Sequence, residues 1–187
     1  MRIISGKYGG RPLKAVKGTN TRPTTDKIKE SLFHMIGPYF DGGIALDLYA
    51  GSGSLGIEAV SRGMDAAYLV DQYPGAITTI KENVAMTKEE DKFTIWKKKD
   101  TTALTQLKGS GVSFDLVLLD PPYEKEDWTA LLSNLVHADL LNPHALIVCE
   151  TDKHTAVEPN ESGYSKYKEK VYGTTKLVVY EWSRAND

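Results

Sequence analysis

Apolar positions along the chain follow two rhythms. Short continuous runs at 44–49, 66–71, 93–98, 114–119 and 145–150 predict buried strands, and stripes spaced three and four apart at about 54–62, 75–87, 102–108 and 127–136 predict helices. Strands alternating with helices imply right-handed crossovers, a mainly parallel sheet and helices on both of its faces. An earlier helix is expected from Thr24, with Ile28, Leu32, Met35 and Ile36 on one face, Thr24 or Thr25 as the cap and Gly37-Pro38 as the stop. The segments 167–172 and 175–182, joined by Gly173-Thr174, read as an antiparallel hairpin after a polar loop over 151–166. Residues 2–17 alternate weakly around the turn Lys7-Tyr8-Gly9-Gly10, as a small hairpin or extended arm would. The chain therefore divides into an arm, residues 1–23, and an α/β domain, residues 24–187.

Two places interrupt this pattern with chemistry. Asp120-Pro121-Pro122-Tyr123 directly follows the apolar run 114–119, which puts a carboxylate, a rigid turn and an aromatic ring at a strand's carboxyl end, where open α/β sheets bind ligands. A plain strand-ending turn would use the same residues, since Pro cannot continue a central strand. Upstream, Leu46-Asp47-Leu48-Tyr49-Ala50-Gly51-Ser52-Gly53-Ser54-Leu55-Gly56 carries a strand into G-x-G-x-x-G and then into a helical stripe. Such glycines permit a tight turn and close backbone approach, and the helix start offers free N–H groups, so a nucleotide-type cofactor is expected there. Asp71, ending the next strand, stands where a carboxylate would accept ribose hydroxyls.

Taken together, the two motifs resemble class I S-adenosylmethionine-dependent methyltransferases that modify exocyclic amines of nucleobases. Asp47 before the glycines argues against a nicotinamide enzyme, whose strand is usually apolar up to that turn. The N-terminal stretch Arg2 to Leu13, followed by Thr21-Arg22-Pro23-Thr24-Thr25-Asp26-Lys27-Ile28-Lys29-Glu30, narrows the resemblance to the bacterial RsmD family, which methylates N2 of a guanine in 16S ribosomal RNA. That resemblance implies a Rossmann-like sheet, mainly parallel, with an antiparallel C-terminal hairpin. It implies S-adenosylmethionine held by Asp47, Tyr49, Ala50, Gly51, Ser52, Gly53, Asp71, Asp100 and Thr101, with Asp71 on the ribose and Asp100 on the adenine amine; Asp100 could equally cap the helix that follows. It further implies that Asp120, Pro121, Pro122 and Tyr123 orient and stack the target base, and that Arg22, Thr24, Thr25 and Asp26 border the site and help place the RNA.

Charge adds a possible grip for that RNA. The whole chain is close to neutral, at −2, but residues 1–30 hold eight Lys or Arg against two acids, a net of +6. A basic arm on an acidic body is expected to contact phosphates through Arg2, Lys7 and Arg11, with Lys97-Lys98-Lys99 as a second contact or a mere strand end. A solvated terminus without a partner would show the same composition. The arm is expected to be separable from cofactor binding, whose residues begin at Asp47. His34 reads as a surface or capping residue, and Cys149, alone in the chain, as core packing. With no apolar run of bilayer length and no charged-then-apolar leader, a cytoplasmic, monomeric enzyme without a metal is expected, acting on 16S ribosomal RNA or the assembling small subunit. Three other readings compete: an adenine-N6 methyltransferase, which presents a similar amine to the same tetrad; a nicotinamide oxidoreductase, which leaves Asp120–Tyr123 and the arm unexplained; and a non-catalytic RNA-binding module, which would not need both motifs.

Overall fold

The computed structural model describes residues 1–18, 24–122 and 126–184. Its elements run α1 (Asp26–Ile36), β1 (Ile44–Asp47), α2 (Ser54–Ser61), β2 (Ala66–Asp71), α3 (Pro74–Thr87), a 3-10 turn (Glu90–Lys92), β3 (Phe93–Lys97), α4 (Asp100–Leu107), β4 (Phe114–Leu119), α5 (Trp128–His137), β5 (Leu141–Asp152), β6 (Tyr164–Tyr172) and β7 (Thr175–Trp182). The strands form a seven-stranded sheet in the order β3-β2-β1-β4-β5-β7-β6. Neighbours from β3 through β5 are parallel, and β7 enters antiparallel to both β5 and β6. This is the sheet expected of a class I methyltransferase.

Both faces of the sheet are covered, which is why the central strands read as continuous apolar runs rather than alternating ones. One core layer packs α4 and α5, through Leu104, Leu107, Leu131 and Leu135, against Leu46, Val117, Ile147 and Cys149. The other packs α1, α2 and α3, through Phe33, Ile57 and Ile80, against Ala45, Leu69, Leu118 and Val148. Cys149 is fully buried and burial pushes its thiol well up from the ordinary range, consistent with packing rather than reactivity. His34 is exposed in the last turn of α1. No helix among the described residues is long and apolar enough to cross a membrane.

Three elements depart from the sequence expectation. The buried stripe of α1 is Lys29, Leu32, Phe33 and Ile36, one position round from the expected face, because Lys29 turns inward while Ile28 and Met35 stay at the margin. Strand β5 begins at Leu141, four residues early. Polar Asn142-Pro143-His144 breaks the apolar run, with His144 in the left-handed region at φ 67°, yet Phe114 still pairs with Leu141. Strand β6 begins at Tyr164, inside the stretch read as loop, because Tyr164 pairs with Trp182 and the two rings meet edge to face across that pair.

The N-terminal arm is the largest correction. It does fold back on itself as a small antiparallel hairpin, with Arg2 bridging Pro12, the Ile3 N–H donating to the Arg11 carbonyl and the Leu13 N–H to the Met1 carbonyl, both at 2.9 Å, but it is not a solvated tail: Ile3, Tyr8 and Leu13 are buried in the α1–α3 core layer. Its anchor is the buried Glu58 of α2. The Glu58 carboxylate accepts from the backbone N–H groups of Ile4 (2.8 Å) and Ser5 (3.1 Å) and pairs with Arg62 (2.8 Å) and the buried Lys29 (3.4 Å). Lys29 in turn donates to the Arg2 carbonyl and to Ser54 Oγ at 2.9 Å. Further along, Asn83 of α3 pairs with both backbone groups of Lys14 and donates to the Ser52 carbonyl at 2.9 Å, which ties the arm to the glycine loop. The arm's cations are also engaged: Arg2 with Asp26, Lys7 with Glu89, Lys14 with Glu82, and Arg11 with the carbonyls of Met86 and Thr87. Lys7, Lys14 and Lys29 are thus paired with acids of the body, tertiary pairings that a charge count cannot register.

Removing one member of a buried charge cluster strands the others without solvent. Glu58→Gln should therefore destabilise the fold by about 3–5 kcal/mol and free residues 1–18 for cleavage. Urea unfolding with limited proteolysis checks this; a fully protected arm in the variant would show that Glu58 is not its anchor.

Candidate active site

Strand order creates the site. From β1 the chain moves outward through β2 and β3, then returns to place β4 on the opposite side of β1. Loops leaving β1 and β4 diverge at their carboxyl ends and leave a crevice, the position where open α/β sheets bind ligands. A cavity of about 620 Å³ opens there, within the range of small-molecule sites. It is walled by the β1 loop (Asp47 to Ser52), by Asp71, by Asp100 and by Asp120-Pro121-Pro122.

The glycine loop is built by local strain and close packing. Gly53, in the left-handed region at φ 84°, begins α2, and its N–H donates to the Ala50 carbonyl at 2.7 Å. Gly56 sits so near β2 that a Cβ would lie 2.2 Å from Leu69 Cδ2, so the helix rests directly on the strand. That proximity lets the Gly56 N–H donate to Asp47 Oδ2 at 3.0 Å. Asp47 is only 3% exposed, and burial pushes its carboxyl up to about 7, with Asp71 and Glu150 adding to the rise and the Gly56 bond opposing it.

Asp71 closes the loop from the other side, Oδ2 accepting from the Gly51 N–H and Oδ1 from the Tyr73 N–H, both at 2.9 Å. Each oxygen has accepting capacity beyond these bonds, and Asp71 lines the cavity. Asp100 is the first residue of α4 rather than its cap, which is Lys99. Its Oδ1 accepts from the Thr101 N–H and its Oδ2 from the Tyr49 hydroxyl, both at 2.7 Å, which ties the β1 loop to α4. Asp120 stands half-buried just past β4. Burial holds its carboxyl well above the usual carboxylate range, and the adjoining Glu150 and then Asp47 push it further.

Eleven of the residues singled out in the sequence converge on this cavity: Thr24, Asp47, Tyr49, Ala50, Gly51, Ser52, Asp71, Asp100, Asp120, Pro121 and Pro122. Gly53 and Thr101 lie one step behind its wall, in the first turns of α2 and α4. Arg2, Lys7, Arg11 and Asp26 are not brought to it; they pair on the body's surface, and Thr25 caps α1 through the Ile28 N–H at 3.2 Å. Arg22 and Tyr123 lie outside the described residues. Sequence reading missed Met1, Ala15 and Val16, which line the cavity because Glu58 and Asn83 hold the arm there. Arm and glycine loop therefore wall one cavity, although the residues read from the sequence as cofactor-binding begin only at Asp47. It also missed Glu150, whose side chain receives the Thr24 hydroxyl at 3.1 and 3.2 Å. A glutamate ending an apolar strand beside the β4 motif was the only available signal.

Four carboxylates and few cations (Lys98 and Lys99) line the cavity. That arrangement suits a cationic ligand. A dinucleotide pyrophosphate would need the glycine-loop amides, and the Gly51 N–H is already taken by Asp71.

Comparison with known proteins agrees with this geometry. The family model described as conserved hypothetical protein 95 matches residues 1–181. A putative rRNA methyltransferase, YlbH, of Bacillus subtilis is 41% identical over 97% of this chain and 98% of its own length. The ribosomal RNA small subunit methyltransferase D of Escherichia coli K12 is 29% identical, over 97% of this chain and 89% of its own length. The structure titled putative methyltransferase yhhF from Escherichia coli superposes with a TM-score of 0.82 at 29% identity, over 98% of each chain. With the family model spanning nearly the whole chain and the arm, glycine loop and Asp120 turn all in place, the chain belongs to the RsmD family of ribosomal RNA methyltransferases.

Proposed function

We propose that this protein transfers the methyl group of S-adenosylmethionine to the exocyclic N2 amine of a guanine in 16S ribosomal RNA, as free RNA or in the assembling small subunit. The observation that carries the reading is the half-buried Asp120, placed with Pro121 at the carboxyl end of β4 and sharing one cavity with the glycine loop. A carboxyl there can receive an amine N–H, as can the Pro121 carbonyl.

The cofactor supplies a methyl group on a sulfonium, which becomes a neutral thioether when the methyl leaves. Asp47 and the glycine loop hold its amino-acid portion, Asp71 receives the ribose hydroxyls, and Asp100, braced by Tyr49, faces the adenine side. The guanine amine is a weak nucleophile because its lone pair is delocalised into the ring. Hydrogen bonds to Asp120 and to the Pro121 carbonyl favour a pyramidal nitrogen with the lone pair turned toward the methyl group, so positioning supplies much of the rate. The acidic wall stabilises positive charge as it passes from sulfur to nitrogen. The target base must be unpaired or swung out to enter, and Tyr123 is assigned to stack on it.

Mass mapping of small-subunit RNA from cells with and without the gene tests the substrate: loss of one N2-methylguanine is expected, and loss of an N6-methyladenine instead would replace guanine with adenine. Asp120→Ala should lower kcat about 10²–10⁴-fold, the range for a group acting on the transferred proton, while S-adenosylhomocysteine affinity by calorimetry stays near that of the unaltered protein. Near-normal turnover would remove Asp120 from the amine.

Asp47 adds a pH dependence with a defined sign. Its carboxyl is held up to about 7, and a cationic ligand favours the ionised form, so binding should expel a proton and tighten as pH rises from 6 to 8. Calorimetry in buffers of different ionisation enthalpy reads that proton. Asp47→Asn should abolish it and weaken binding by about 1.5–3 kcal/mol, the worth of a charged hydrogen bond; proton release that persists in the variant would assign it to another group.

A further inference from the structure

Glu150 has no part in the scheme above, yet it lies against the group on which that scheme turns. Strands β4 and β5 run parallel with Leu119 level with Cys149, so the next residues, Asp120 and Glu150, leave adjacent strand ends side by side. The two carboxyl groups interact, Glu150 helping to raise that of Asp120. Two carboxyl groups set side by side in this way can hydrogen-bond to each other only if one carries a proton, because neither carboxylate has a hydrogen to donate. The second face of Glu150 receives the Thr24 hydroxyl, one residue before the α1 cap Thr25, so its carboxylate is held from both sides.

We propose that Glu150 is the positioning residue of Asp120 and the final acceptor of the proton that the methylated amine gives up. This rests on the amine-transfer reading. In the resting site Asp120 donates its single proton to Glu150, which fixes the carboxyl plane and leaves the second Asp120 oxygen free for the target N–H. As the N–C bond forms and the S–C bond breaks, the amine N–H bond also breaks and leaves its electron pair on nitrogen. The proton passes to the free oxygen of Asp120, and the proton Asp120 already held passes to Glu150. Sulfonium and carboxylate are thereby neutralised together, with no charge stranded in the cavity. The titratable groups acting on Asp120 are Glu150 from β5 and Asp47 from β1, both acids, so the half-buried Glu150, rather than a cation, must absorb the charge change.

Carbon-13 carboxyl NMR across pH, on the protein without substrate, tests the pair itself. Asp120 and Glu150 should titrate together in two steps seen at both carbons, and in Glu150→Gln the Asp120 step should become single and move to lower pH. Independent one-step titrations in the unaltered protein would overturn the shared proton even if the variant failed to fold. In single-turnover methyl transfer to small-subunit particles lacking the modification, Glu150→Gln should slow the step at least tenfold. S-adenosylhomocysteine affinity and the KM for the particle should hold, and Glu150→Asp should recover part of the rate. An unslowed variant, or one that loses cofactor affinity to the same degree as rate, would overturn the relay. Absence of any transfer to guanine by the unaltered protein would overturn the substrate reading, while the NMR titration would still decide the pair.

Discussion

The reversal of strand order at β1 is the constraint from which the rest of the structure follows. Because β2 and β4 flank β1 on opposite sides, the loops leaving β1 and β4 must part at the carboxyl end of the sheet. The crevice is therefore a topological necessity rather than a product of any one side chain. What the side chains decide is its character. Asp47, Asp71, Asp100 and Asp120 reach it from β1, β2, the start of α4 and the end of β4, and they make its wall acidic. A crevice in the same place lined by free backbone amides would suit a pyrophosphate; here Asp71 occupies the Gly51 amide, and the site suits a positive charge.

A second buried cluster completes that wall. Glu58, Lys29 and Arg62 are excluded from water, and such charges persist in a fold only when each is paired and hydrogen-bonded. The pairing is met by using the N-terminal backbone as a ligand, through the amides of Ile4 and Ser5 and the carbonyl of Arg2. Lys29 also holds Ser54, the first residue of α2, which itself lines the cavity. The arm is thus built into the site by the same charges that make α1 and α2 compatible. Asn83 repeats the device at Lys14 and Ser52.

Acids outnumber their compensating partners at the cavity, and the shifts follow. Burial raises Asp47 and Asp120; Asp71 and Glu150 raise Asp47 further, and Glu150 and Asp47 raise Asp120. Asp47 and Asp120 therefore favour the protonated form, and a cationic ligand reverses that preference. On the proposed reading, proton and methyl chemistry share these side chains, so the charge of a ligand matters to this site as much as its shape.

Much of this was determined by the sequence alone. The two hydrophobic rhythms placed every strand of the sheet and all five helices within a few residues, because period and burial are local properties of the chain. Asp47, Gly53, Asp71 and Asp120 were legible because strand–turn–helix chemistry is local too: a glycine in the left-handed region and an acid at a strand end announce themselves within a dozen residues. Tertiary structure decided what depends on partners distant in the chain. Lys29 reads as a solvent cation until Glu58 meets it across 29 residues of sequence, and its inward turn rotates the α1 stripe. The basic arm reads as a phosphate contact with no partner in the chain itself, and only the fold shows Arg2, Lys7 and Lys14 meeting Asp26, Glu89 and Glu82. Glu150 reads as the polar end of a core strand until parallel pairing in register sets it beside Asp120 and Thr24. Charge carries no period and no reach along the sequence; only the fold specifies which charges meet, and here those meetings make the site.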